Sequence, residues 1–528
     1  MINAVRLAGL AALASVAAAT EHAFESSPFN VAKALRDHGV DFSKIPELSG
    51  CRALGNVYGD HTVYRESPNA TQYSDFTGKY WSKIQSDVDP HCIFVAPTAD
   101  SVSVMVLLSR LTQCPFAVKS GGHGAFAGAS NIEGGMTVSL EMLRNVTLSD
   151  GKETVVIQPG NTWSDVYTAL DKHELTVTGG RVSSVGTGGL TLGGGISFFS
   201  NLHGWACDNV VRYEVITASG VKVDATPTSH PDLYWALRGG GNNFGIVTAF
   251  TFETLPLPDA KIWGGSKTYL EAAFEDVEKA YHNLVVNSPQ DPNAGMWLAW
   301  AQMDDLKVAV AELYYAKPNG SESTLFKGFN EAMAVEDTTK ERVVHEYTDL
   351  IEASNRYDLR ELYWAITAKA TLELATFARN TFYEKRSAVS GVAGADPVLI
   401  MHPITEGQIE SMSKNGGNAL GVTPEDGPLY IIQIASWWDD AEGDQAMYTF
   451  ASDVISTVAA KAEELGVDND YVYMNYGSKY QNVIASYGAE NVAKLNAISK
   501  RYDPQAVFQK LQPGYFKLNR SPAPGSEL

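Results

Sequence analysis

Cysteine is scarce in this chain, with 4 among 528 residues, which excludes the disulfide-dense scaffolds of small secreted domains. Cys51, Cys92, Cys114 and Cys207 allow three complete pairings if all are oxidised, and their order along the chain does not choose among them. Nor do they sit at the close spacing, about two to five intervening residues, that a structural zinc site needs, so no metal is expected. Cations are also short: 40 Lys and Arg face 61 Asp and Glu, for a net charge of −21. Such a surface repels nucleic acid and anionic membrane, so neither is expected as a partner. After the first 19 residues no apolar run is long enough to cross a bilayer. Neither G-x-S-x-G nor H-E-x-x-H occurs, which removes the commonest hydrolase and zinc-protease readings. Internal repeats and low-complexity tracts are absent too.

What is present begins with Met1 to Ala19, where Arg6 precedes an Ala/Leu-rich run that closes on small residues at Ala17 and Ala19. This reads as a signal peptide and predicts a secreted protein. Sequons at Asn69, Asn145, Asn319 and Asn519 are compatible with that route. The length predicts two domains, each able to bury its own core.

The most informative stretch is Phe116 to Gly124, FAVKSGGHG, an apolar strand that runs into a small-residue turn ending at His123. Paired glycines let the backbone turn tightly with N–H groups pointing inward, a nest that suits a diphosphate. Upstream, Cys92 to Ala96 reads as a strand and Ser101 to Leu111 as a helix by the spacing of Val102, Met105, Val106 and Leu108. A Rossmann reading is available in Gly122 to Ala127 as G-x-G-x-x-A, with Glu141 as the ribose acid. It requires a helix directly afterwards, whereas Ser130 to Leu140 holds a Gly-Gly pair and then a β-like run. A second glycine-rich block, Gly179 to Gly195 (GGRVSSVGTGGLTLGGG), would let backbone approach a large flat ligand, and its Val185, Leu190 and Leu192 argue for a packed loop. Pro256 and Pro258 mark a boundary. Beyond it, strands at Met296 to Ala301, Lys307 to Tyr315, Pro397 to Met401 and Leu429 to Trp437, with helices between, predict an antiparallel α+β unit. Tyr471 to Tyr476 reads as a last strand before a return to the first unit through a helix at Asn491 to Lys500.

Taken in order, Pro97 to Val102, the His123 loop, Gly179 to Gly195, Leu237 to Gly245 and Tyr502-Asp503-Pro504 with Phe508 resemble the vanillyl-alcohol-oxidase and para-cresol-methylhydroxylase (PCMH) type flavoproteins, and within them the berberine-bridge-enzyme-like secreted oxidases. The resemblance implies an α+β fold with a discontinuous FAD-binding domain, residues 20–258 and 471–528, interrupted by a substrate domain over 259–470. It also implies FAD bonded covalently through His123. Val182 stands where bicovalent relatives carry cysteine, which implies a single tether. Val185 matches the gatekeeper of the oxygen pocket and implies an oxidase that releases hydrogen peroxide. Further cofactor contacts are implied at Lys119, Ser120, Gly121, Gly122, Gly124, Gly186, Gly188, Gly189, Gly193, Gly194, Ile246 and Tyr476, and a disulfide between Cys51 and Cys114.

The Tyr-x-Asn-Tyr motif of the family falls on Tyr473 to Tyr476 and implies Tyr473 as proton acceptor with Asn475 beside it. On a strand Tyr476 would point to the other face. Gln433 matches an active-site Gln or Glu. Sugar-oxidising relatives carry an aspartate where this chain has Ala435, and pocket tyrosines where it has Ala125 and Ile196, which points to an apolar or aromatic alcohol or a secondary-metabolite intermediate. Trp297, Trp300, Trp364 and Trp437 could stack on a ring, although aromatic residues in a sheet usually belong to the core. The competing readings are an oligosaccharide oxidase, an oxidative cyclase or dehydrogenase with another electron acceptor, and a non-catalytic binding protein.

Overall fold

A computed structural model describes residues 25, 29–41, 49–66, 70–303 and 306–519. The leader-like run and Asn69 lie outside them, while Asn145, Asn319 and Asn519 are exposed. Three sheets carry the architecture. In the first, strands run in the order Thr62–Tyr64, Cys92–Val95, Met136–Ser139, Phe116–Lys119, and the last three are parallel. Helix Ala99–Thr112 makes the crossover between Cys92–Val95 and Phe116–Lys119, with Thr98 and Ser101 forming a reciprocal cap at its start. The His123 loop leaves the carboxyl end of this parallel sheet, where α/β proteins place ligands.

The second sheet, all antiparallel, orders Val146–Leu148, Thr154–Ile157, Ile246–Glu253, Val210–Ile216 and Lys222–Ala225. Helix Ala489–Tyr502 packs near helix Pro231–Leu237, and Phe508 meets Phe116 edge-on at 6.5 Å, so residues 489–508 lie against the first part of the chain.

The third sheet has nine strands, all antiparallel, drawn from residues 261–469. Leu429–Trp438 lies within it between Asp396–Ile404 and Arg360–Lys369. Alternation divides its side chains cleanly. Trp300, Trp364, Ile432, Ile434 and Trp438 face helices Phe274–Val286, Leu372–Lys385 and Asp444–Leu465 and build a core. Their neighbours Trp297, Tyr363, Gln433, Ala435 and Trp437 line a cavity on the other face. Of the four tryptophans with stacking potential, two are therefore core and two are cavity wall. The fold is the expected α+β class, with helices on one side of the antiparallel sheet.

Two local expectations are corrected. The disulfide joins Cys51 to Cys92, with 5.8 Å between Cα atoms, while Cys114 and Cys207 are free thiols. Cys114 packs instead on Gly50, where a Cβ would lie 3.0 Å from its Sγ. Successive helix residues are turned by about 100°, so Cys51 points toward strand Cys92–Val95 and away from Cys114. The stretch from Tyr471 to Tyr476 is not a strand: the ladder stops at Asp468–Asn469, and Met474–Tyr476 is a short 3₁₀ turn. Side chains take over the backbone donors there, Asn469 Oδ1 accepting from Tyr471 N at 3.0 Å and Ser486 Oγ from Val472 N at 3.0 Å.

Candidate active site

A cavity of about 470 Å³ runs from the first glycine loop to the free face of the nine-stranded sheet. Its walls include Ser120, Gly121, Gly122, His123, Gly124, Ala125, Val182, Val185, Gly186, Gly188, Gly189, Ile196 and Ile246 from the first part of the chain, with Gln433, Ala435, Tyr473, Asn475 and Tyr476 from the rest. Lys119, Gly193 and Gly194 do not line it. Lys119 is buried with its Nζ over the rings of Phe76 and Tyr80 at 5.4 and 5.3 Å, and burial lowers its pKa to about 8. Gly193 and Gly194 stand behind the wall, where a Cβ would press on Asn475 and on Trp205.

The two glycine blocks touch. A Cβ on Gly121 would lie 2.7 Å from Gly186 Cα, and one on Gly186 would lie 2.6 Å from Ser120 Oγ. Ser120 Oγ donates to Pro159 O at 2.5 Å and accepts from Gly188 N at 3.1 Å, which locks this contact. Helix Thr187–Leu192 begins at the same place. By contrast, a Cβ on Gly189 meets no protein atom within 4 Å and projects into the cavity. Gly122 has φ +81°, a conformation that suits the tight turn before His123.

His123 is stacked on Trp81 with ring centroids 4.3 Å apart and planes 15° from parallel, and Trp81 stacks in turn on Tyr363 at 5.6 Å. Its Nε2 is buried and has no hydrogen-bond partner. Burial lowers its pKa to about 4, so the imidazole is neutral at physiological pH with a free nitrogen lone pair.

Tyr473 and Tyr476 meet edge-on at 4.8 Å, so both reach the cavity, unlike two residues on opposite faces of a strand. The Tyr473 hydroxyl oxygen accepts from Asn475 Nδ2 at 2.9 Å, Gly195 N at 3.1 Å and Ile196 N at 3.3 Å. Asn475 Nδ2 also donates to Leu190 O at 3.1 Å. Burial raises the Tyr473 pKa, partly offset by the Asn475 and Ile196 donors. Tyr476 Oη accepts from Arg181 Nη2 at 2.8 Å. Arg181 also lies 3.4 Å from His402 Nδ1, and His402 Nε2 lies 3.2 Å from Gln433 Oε1. Arg181, His402 and Tyr363 were not anticipated. A charged residue within GGRVSSVGTGGLTLGGG was the available signal for Arg181, whereas nothing local distinguishes His402 or Tyr363 from other strand residues.

Residues 90–226 match the family described as FAD binding domain. The FAD-dependent monooxygenase tpcD of Cochliobolus heterostrophus is 32% identical over 92% of this chain and 95% of its own length. This chain belongs to the same family as that enzyme, the FAD-dependent oxidoreductases. In fold it is similar to 6-hydroxy-D-nicotine oxidase from Arthrobacter nicotinovorans, with a TM-score of 0.72 at 17% identity over 90% of this chain and 99% of that one. Berberine bridge enzyme in complex with (S)-reticuline also gives 0.72, at 16% identity over 90% and 98%.

The cavity fits the cofactor of this family. Two glycine loops approach too closely for side chains, Gly189 leaves free space beside them, and the buried His123 Nε2 is without a partner. The Gly121–Gly124 turn suits the phosphates, and Val182, Val185 and helix Thr187–Leu192 would flank the ring system.

Proposed function

We propose that this protein is a secreted flavoprotein oxidase that takes a hydride from an alcohol-type or secondary-metabolite substrate. The observation that carries the reading is the placement of His123, Tyr473 and the sheet residues Gln433, Ala435 and Trp437 on one cavity. Bound FAD would supply the two-electron acceptor and pass electrons on to oxygen. His123 would hold it covalently through one bond: Trp81 fixes the imidazole plane and burial keeps the ring unprotonated and nucleophilic. Val182 cannot form a second bond, and Val185 leaves room for oxygen.

Tyr473 would take the proton from the substrate. A phenol oxygen with its own proton has two lone pairs, whereas a phenolate has three and can accept all three N–H groups aimed at Tyr473. Asn475 positions that oxygen. Ala125, Ile196 and Ala435 would keep the adjoining wall apolar and favour a flat, apolar substrate over an oligosaccharide. Exposed sequons at Asn145, Asn319 and Asn519, the disulfide and the N-terminal apolar run support the secretory route.

The relative's monooxygenase name favours a second reading in which oxygen enters the product. Turnover under ¹⁸O₂ distinguishes the two. An oxidase yields about one hydrogen peroxide per substrate, unlabelled product and no need of a nicotinamide reductant; labelled product with no peroxide refutes the oxidase.

A further inference from the structure

Arg181 is a buried cation without a carboxylate. It makes no ion pair among the described residues, and its two hydrogen-bond partners there, Tyr476 Oη and His402 Nδ1, sit on one nitrogen, Nη2. The guanidinium lies over Trp297, 4.4 Å from the ring centroid, on the wall of the cavity. The acidic side chain within electrostatic reach is Glu312, which accepts from Tyr347 Oη at 2.6 Å and is pushed up to about 7 by burial, so near neutral pH it carries only part of a negative charge and makes no direct contact with Arg181. A charge taken out of water without a counter-ion is destabilising, and an anionic ligand offsets that cost.

The polarity of the neighbouring groups follows from arginine, which can only donate. His402 Nδ1 must therefore accept, so its proton sits on Nε2, and burial together with the Arg181 charge keeps the ring from gaining a second. The Nε2–H then donates to Gln433 Oε1. With its oxygen occupied, Gln433 presents its NH₂ to the cavity. Arg181 and Gln433 thus offer donors, and the walls around them, Trp297, Ile400, Ala435 and Trp437, are apolar.

From this we infer that the cavity contains an anion-recognising subsite, built from Arg181 and Gln433 with His402 as the positioning residue between them, and that the substrate is a flat, apolar molecule bearing an acidic oxygen: a carboxylate, a phenolate or an enolised 1,3-dicarbonyl. The inference rests on the oxidoreductase reading and narrows its substrate class. The same cation could instead serve an anionic oxygen on the reduced flavin, and the test separates these sources.

The flavin-loaded protein is titrated calorimetrically with trans-cinnamate and trans-cinnamamide, which share a body and differ in charge. The expected result is at least about tenfold tighter binding of cinnamate, reduced to under about twofold in Arg181→Gln and partly retained in Arg181→Lys. Gln433→Glu, which keeps Arg181 and adds a competing carboxylate, should also erase the preference, so the test survives if Arg181→Gln does not fold. Binding of neither probe, equal binding of both, or a preference that persists in these variants overturns the subsite. If Arg181→Gln lowers the flavin midpoint potential while leaving the cinnamate preference intact, the anion belongs to the flavin and the substrate assignment is wrong. Calorimetry needs no turnover, so failure here differs from failure of the oxidase reading, which would appear as absence of flavin or of substrate-driven flavin reduction.

Discussion

Two glycines on the same cavity should fail in different ways when replaced by alanine. At Gly121 the new methyl would lie 2.4 Å from Gly186 N and 2.7 Å from its Cα, while ordinary contact begins at 3.4 Å, so the two loops must separate by about 1 Å. The obstacle is backbone on both sides, and the Ser120 Oγ bonds to Pro159 O and Gly188 N cross the same gap. Overpacking of this kind costs about 1–3 kcal/mol, so Gly121→Ala should lower the melting temperature and the flavin content together. At Gly189 the methyl meets no protein atom within 4 Å and the residue lies within helix Thr187–Leu192. Alanine there should gain up to about 1 kcal/mol of helix propensity, yet its methyl enters the space assigned to the flavin. Gly189→Ala should therefore melt no lower than the wild type stripped of flavin and still load poorly. The assay pairs thermal unfolding with the ratio of flavin to protein absorbance. Full flavin content in Gly189→Ala, or an undisturbed melting temperature in Gly121→Ala, would refute the proposed cradle.

Removing the Tyr473 oxygen should slow flavin reduction by roughly 10²-fold in anaerobic single-turnover experiments, with the fold held because Asn475 retains its bond to Leu190 O; an unchanged rate removes Tyr473 from the chemistry. Glu361 is fully buried opposite Trp437, and burial pushes its carboxyl up to about 9, so it contributes stability below its unfolded pKa near 4.5 that is lost as pH rises toward 9. Glu361→Gln should therefore be more stable than wild type at pH 7 by on the order of 2–3 kcal/mol, with a gap that vanishes near pH 4; parallel melting curves across pH would contradict this. Arg238 and Asp208 form an ion pair at 3.1 Å with both side chains fully buried, so Arg238→Met should destabilise by about 3–5 kcal/mol, read by chemical denaturation, and a loss under about 1 kcal/mol would show the pair to be dispensable.

How much of this was legible beforehand depended on whether a feature is local. The glycine blocks and His123 are contiguous words, and the close approach of Gly121 to Gly186 is what their composition permits. Gln433 and Ala435 came from the family resemblance; strand alternation puts both on the cavity face and Ile432 and Ile434 in the core. Cysteine pairing depended instead on helix phase: Gly50 and Cys51 are adjacent in sequence but face different partners. Tyr471 to Tyr476 carried β-like residues, yet the side chains of Asn469 and Ser486 satisfy its backbone in place of a neighbouring strand, and no local pattern announces that. Arg181 and His402 are 221 residues apart, so their contact exists only once the glycine loop and the nine-stranded sheet are packed together.

The tether at His123 is the claim on which the cofactor assignment turns. Intact-mass analysis of the denatured, purified protein should show polypeptide plus one FAD, with the added mass located on the peptide that contains His123 and absent from His123→Ala. A denatured mass equal to polypeptide and glycan alone, or an FAD adduct that persists in His123→Ala, would contradict it.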